Sequence, residues 1–185
     1  MEYLDVVDRN GIPTGEVIER TAAHAEGVLH RTSHVWLLRR REGKLQILLQ
    51  KRCESKDSFP GCYDISSAGH IPAGFDYRES AVRELYEELG VSCCEEDLVT
   101  CGHRLVVHDE VFHDKEFHDR QYSKVFYLMA DIDEKDIVVQ KEEIESVLWM
   151  DFDECYNAVK LQLIKNCICI DELDMIKRAL GESTN

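Results

Sequence analysis

Apolar residues recur along this chain with two periods, and the change from one to the other marks out its elements. Between Tyr3 and Glu19 two short half-apolar runs flank Asp8-Arg9-Asn10-Gly11, which predicts a β-hairpin. The stretch from Thr21 to His34 is polar and bears histidines. Val35-Trp36-Leu37-Leu38 then reads as a buried strand, Arg39 to Lys44 as a charged turn, and Leu45 to Gln50 as another strand. Ser58-Phe59-Pro60-Gly61 predicts a turn, and Ile65 to Gly69 a short strand running into a glycine-containing loop.

Beyond that loop the period lengthens. Ala81, Leu85 and Leu89 recur every four residues and form one stripe of a helix. Asp76 and Glu79 have the spacing of a capping box at its start, and Gly90 supplies its stop. Val106 to Val111 and Ser123 to Met129 predict two strands, joined by the acidic, histidine-rich piece His113 to Asp119; Val147 to Met150 is a third. Helical pattern closes the chain over Asp151 to Cys169 and Asp171 to Leu180. No repeat, linker or low-complexity segment interrupts it. Residues 1–185 are therefore expected to form a single domain of the α/β (α+β) class, a mixed sheet flanked by helices. The hairpin takes up about 1–20 and the C-terminal helices about 151–181.

Charge narrows the partners. Thirty-seven acidic residues against 22 basic ones give a net charge of −15, with no basic stretch to offset it. Such a field repels a nucleic-acid backbone, so no polymeric nucleic acid is expected as a partner. The longest apolar runs are too short to span a bilayer, and the N-terminus lacks the basic start and apolar core of a signal peptide. A cytoplasmic protein with no membrane partner is expected. Eight cysteines contain no C-x-x-C pair, which argues for reduced thiols rather than structural zinc.

On the predicted helix Glu84, Glu87 and Glu88 stand at i, i+3 and i+4, which puts three carboxylates on one face, opposite the apolar stripe. Their mutual repulsion costs about 0.2–0.5 kcal/mol per pair on an isolated helix. A cation reverses that sign, and hard carboxylate oxygens suit Mg2+ or Mn2+. The segment from Gly69 to Val91 closely resembles the Nudix box, G-x5-E-x7-R-E-U-x-E-E-x-G-U with U aliphatic. Gly69, Arg83, Glu84, Leu85, Glu87, Glu88, Gly90 and Val91 fall in register. Phe75 stands where the box has its first glutamate, leaving Asp76 or Glu79 to take over that contact; Glu79 lies four residues before Arg83 and can brace it.

The resemblance implies a Nudix-type α/β/α sandwich with the box at 69–91, and hydrolysis of a diphosphate linked to another moiety. Carried onto these positions, Glu84, Glu87 and Glu88 hold the metal, the Gly69 carbonyl adds a ligand, and Arg83 orients the glutamates. Catalysis would then rest on Glu84, Arg83 and Glu87. The group that takes the proton from water, Glu84 or a carboxylate from Glu110 to Asp119, stays open. The partner would be a small-molecule diphosphate, and a homodimer is common in the family.

Outside the box the hairpin, Leu29-His30-Arg31 and Ser58-Phe59-Pro60-Gly61 look like isopentenyl-diphosphate isomerase and its hydrolase-like relatives. On that likeness Arg52 and Lys56 touch the diphosphate, as cations suited to it. His30, His70 and Asp119 match ligands of a second metal, Mn2+ or Zn2+, while the preceding histidine, His24, is one position out of register. The isomerase, however, moves a proton on carbon with a cysteine and a glutamate, and here those positions are Ala68 and Gln121. Three readings follow: a metal-dependent hydrolase of a nucleoside diphosphate derivative or a prenyl diphosphate, an isopentenyl-diphosphate isomerase, and a non-catalytic diphosphate sensor.

Overall fold

The computed structural model describes residues 1–56, 58–112 and 115–181. Strands β1 (Tyr3–Val7) and β2 (Pro13–Glu19) form the expected antiparallel hairpin, with Tyr3 opposite Glu19. Its turn is fixed by Asp8, whose carboxylate accepts from the amides of Asn10 and Ile12. Helix α1 (Arg20–Glu26) follows, where the sequence offered only a polar stretch. At seven residues it is too short to display a period. Its ends define it instead: Glu19 accepts from Ala22 N, and Gly27 closes it in the left-handed region.

Seven strands make the main sheet: β3 (His30–Arg41), β4 (Lys44–Arg52), β5 (Tyr63–Asp64), β6 (Ser67–His70), β7 (Val99–Phe112), β8 (Lys115–Met129) and β9 (Ile144–Asp151). The order β5-β4-β3-β8-β7 forms the main path, with β6 added to β3 and β9 to β4. Strands β3 and β8 run parallel and the other pairs antiparallel, so the sheet is mixed as expected. Helix α2 (Tyr77–Leu89) covers one face, over Val35, Leu37, Phe126 and Leu128. Helices α3 (Phe152–Lys160) and α4 (Ile170–Ala179) cover the other, over Trp36, Leu38, Val125 and Tyr127. The unbroken run Val35 to Leu38 is thus explained: alternate residues face two different cores.

Three expectations are corrected. The charged turn shrinks to Glu42 and Gly43, both at positive φ (52° and 76°), and Arg39 to Arg41 belong to β3. The piece expected to join two strands is largely strand, since β8 begins at Lys115 and pairs with β7 in a long arm. Of that piece, His113 and Asp114 lie outside the described residues. The first C-terminal helix stops at Lys160, short of Cys169, and Gln162 at φ 53° turns the chain away. Among the described residues no helix is long and apolar enough to cross a membrane.

Candidate active site

Helix α2 begins where the sequence placed it. Asp76 is its N-cap, accepting from Arg78 N, and Gly90 ends it in the left-handed region at φ 66°. The carboxylate trio is arranged differently from the expectation: it flanks the apolar stripe instead of opposing it. At about 100° per residue, position 88 lies only about 20° around the helix from position 81. Glu88 is accordingly only 5% exposed, packed against β6, where it accepts from Ala68 N at 3.3 Å. Glu84 is half-buried against the same strand, while Glu87 faces solvent.

Gly69 is what allows this approach. A Cβ built there would lie 2.4 Å from Glu84 Cδ, so any other residue would push the carboxylate off the strand. Arg83 donates to Glu84 Oε1 at 2.8 Å, and Glu79 stays exposed. Burial raises the Glu84 carboxyl to about 7, against the pull of Arg83, and neighbouring Glu87, Glu2 and Glu143 add to the rise. Burial likewise lifts Glu88 to about 8, despite the donor from Ala68. Two carboxylates converging on one strand with too little positive charge between them are a site short of a cation. A divalent ion with oxygen ligands fits that donor set.

Across β6 lies a second cluster. Strand alternation turns Gly69 toward α2 and His70 toward the opposite layer, where it meets His24 from α1 and His30 from β3. The nearest ring nitrogens of the three histidines lie within 4.8 Å of one another. Asp119 Oδ1, from β8, is 3.7 Å from His30 Nε2 and 3.9 Å from His24 Nε2. His30 Nδ1 donates to Val28 O at 2.8 Å, which leaves Nε2 as an acceptor facing the carboxylate. Both His30 Nε2 and Asp119 Oδ1 are buried without a hydrogen-bond partner among the described residues. Burial holds His24 down to about 4, lowers His30, and puts His70 well below the usual range. Neutral imidazoles facing a carboxylate are the chemistry of a transition-metal centre. His24, out of register in the sequence, is brought in by α1.

The expected phosphate-binding cations already have partners. Arg52 bonds Asp64 Oδ2 and the Ser58 carbonyl, and Lys56 pairs with Glu143 at 2.9 Å. Glu143 is itself one of the charges raising Glu84 and Glu88, so Lys56 sits on the box side. Gln121 spans Thr32 Oγ1 and Asp119 Oδ2, and Ala68 lies beside His34 on β3. Neither can transfer a proton on carbon. Sequence reasoning missed one polar centre entirely: Glu172 on α4, fully buried, accepts from His34 Nδ1, Trp36 Nε1 and Arg104 Nη1.

Known proteins agree with this architecture. The family model for the NUDIX domain matches residues 28–167. Nudix hydrolase 3 of Arabidopsis thaliana is 38% identical over 158 residues, 84% of this chain but 20% of that protein, so the likeness spans a fifth of its length. An isopentenyl-diphosphate Delta-isomerase of Pectobacterium atrosepticum is 37% identical over 100 residues, 54% of each chain. A crystal structure of DR0079 from Deinococcus radiodurans superposes with a TM-score of 0.67 at 21% identity, covering 96% of this chain and 99% of that one, which shows a shared fold.

Proposed function

The chain belongs to the Nudix hydrolase family, and on that premise we propose that it hydrolyses a diphosphate bond in a small phosphorylated metabolite, with Mg2+ or Mn2+ held by Glu84, Glu87, Glu88 and the Gly69 carbonyl. The observation that carries the reading is the seat of Glu84 in the space a Cβ on Gly69 would fill, beside the buried Glu88. A bound divalent cation supplies the charge that polarises phosphoryl oxygens and lowers the pKa of an attacking water. The protein's part is placement. Arg83 steadies Glu84, and the Ala68 amide steadies Glu88.

A phosphate-release screen over nucleoside diphosphate derivatives and prenyl diphosphates, with Mg2+ and with Mn2+, tests this. Release is expected to need the metal, to stop with chelator, and to fall about a hundredfold in Glu87→Gln. Metal-independent release of the same size would sink the reading.

One observation favours a second reading. The cluster of His24, His30, His70 and Asp119 lies where the isomerase likeness expects a metal. We take it as a second site, for Mn2+ or Zn2+, in the hydrolase. Ala68 and Gln121 weigh against the isomerase, and conversion of isopentenyl diphosphate without phosphate release would restore it. Metal analysis of protein saturated with Zn2+ and then desalted is expected to find about one ion per chain. His70→Ala should lose most of it, and equal content in the two proteins would remove the site.

A further inference from the structure

The loop joining β6 to α2, residues 71–76, has little of its own to hold it. It reads Ile-Pro-Ala-Gly-Phe-Asp, and only Ile71 is fully buried. Phe75, in the place of a box glutamate, is 44% exposed. The loop is held instead from outside. Tyr3 O accepts from Ala73 N at 2.8 Å, and Leu4 bridges to Pro72. Asp5 Oδ2 accepts from Gly74 N at 2.9 Å and from Arg31 Nη2 at 2.7 Å. The same Arg31 nitrogen donates to Phe75 O at 2.9 Å, and its guanidinium lies 5.3 Å over the ring of Tyr77, the first residue of α2. Both side chains of the ion pair are largely buried.

We propose that Asp5 and Arg31 are positioning residues for the metal-binding carboxylates, a clamp from the N-terminal hairpin that fixes the box loop and with it the placement of α2 against β6. The inference rests on the metal-dependent reading above. The carboxylates ride on α2 while their backbone neighbours, Ala68 and Gly69, sit on β6. The clamped loop is the covalent tether between the two. A slip of one residue along a helix is about 1.5 Å, whereas metal–ligand distances hold to about 0.2 Å. Asp5 precedes the residues matched by the family model, so the hairpin contributes to the site from outside that region.

Mn2+ titration followed by electron paramagnetic resonance, counting only the ion that Mg2+ displaces, tests the clamp on full-length protein. Asp5→Asn and Arg31→Lys are expected to weaken that binding about tenfold or more. Arg31→Lys keeps the charge but cannot span Asp5 and Phe75 O together, which covers the case where Asp5→Asn fails to fold. Val159→Ala, a buried packing change on α3 in the core on the other face of the sheet, should lower Tm yet leave Mn2+ affinity within about twofold. A clamp variant whose Mn2+ affinity matches that of Val159→Ala overturns the proposal alone. Wild-type protein that takes up no such Mn2+ overturns the metal reading and the clamp with it.

Discussion

Glu84→Gln is expected to lower turnover on the order of a thousandfold while leaving the protein folded, and in chelator at least as stable as the wild type. Glutamine keeps the shape of the side chain and can still accept from Arg83, so the seat against Gly69 survives. What it removes is the negative charge. In metal-free protein that charge is a burden, as the rise of the Glu84 carboxyl to about 7 by burial indicates. With metal bound it becomes an asset. The two effects therefore separate in one pair of measurements, turnover against Mg2+ and Tm with and without Mn2+. Wild-type Tm should rise with Mn2+ by linkage, and the rise should shrink in the variant. Gly69→Ala, which changes no charge, is expected to reproduce the loss by displacing the carboxylate. If Glu84→Gln keeps turnover within tenfold, the assigned role of Glu84 is wrong.

Much of this site was legible because the chemistry lies on one short helix. The i, i+3, i+4 spacing of Glu84, Glu87 and Glu88 is local, and so are the Asp76 cap and the Gly90 stop. The burial of Glu88 was not legible, since its partner Ala68 stands on a strand that only folding brings alongside. Pairings distant in sequence stayed hidden for the same reason. Asp5 and Arg31 are separated by 26 positions, and His34 and Glu172 by 138. Helix α1 escaped because seven residues give a periodic pattern no room, and with it went the place of His24. The polar start of β8 escaped because Lys115 to Arg120 hold a single apolar residue, Phe117, so no hydrophobic alternation marks the strand.

Glu172 is where the largest effect on stability is expected. Its carboxylate has no exposed surface and three donors, His34 Nδ1 at 2.8 Å, Arg104 Nη1 at 2.8 Å and Trp36 Nε1 at 2.9 Å. Glu172→Ala strips a buried cationic pair of its counter-charge, a change that costs about 3–5 kcal/mol. For a chain of this size that is about 10 °C of Tm. Glu172→Gln should fall between, because it keeps the volume and an acceptor but not the charge. The pH dependence has a definite sign on each side. Burial alone would raise Glu172, but His34 and Arg104 hold it down to about 2, against 4.5 for an unperturbed glutamate. Its stabilisation is thus present above about 4.5 and is lost as pH falls toward 2. Burial pulls His34 down, but the Glu172 carboxylate more than offsets this and leaves the imidazole raised. That contribution is full below 6.5 and fades as pH rises through the raised value. Wild-type stability from this centre should therefore be greatest between about 4.5 and 6.5, and urea denaturation of Glu172→Gln, followed from below 4.5 to above 6.5, should lose both slopes. Equal stability of Glu172→Ala and wild type at pH 6 would mean that the three donors find other partners when the carboxylate is gone.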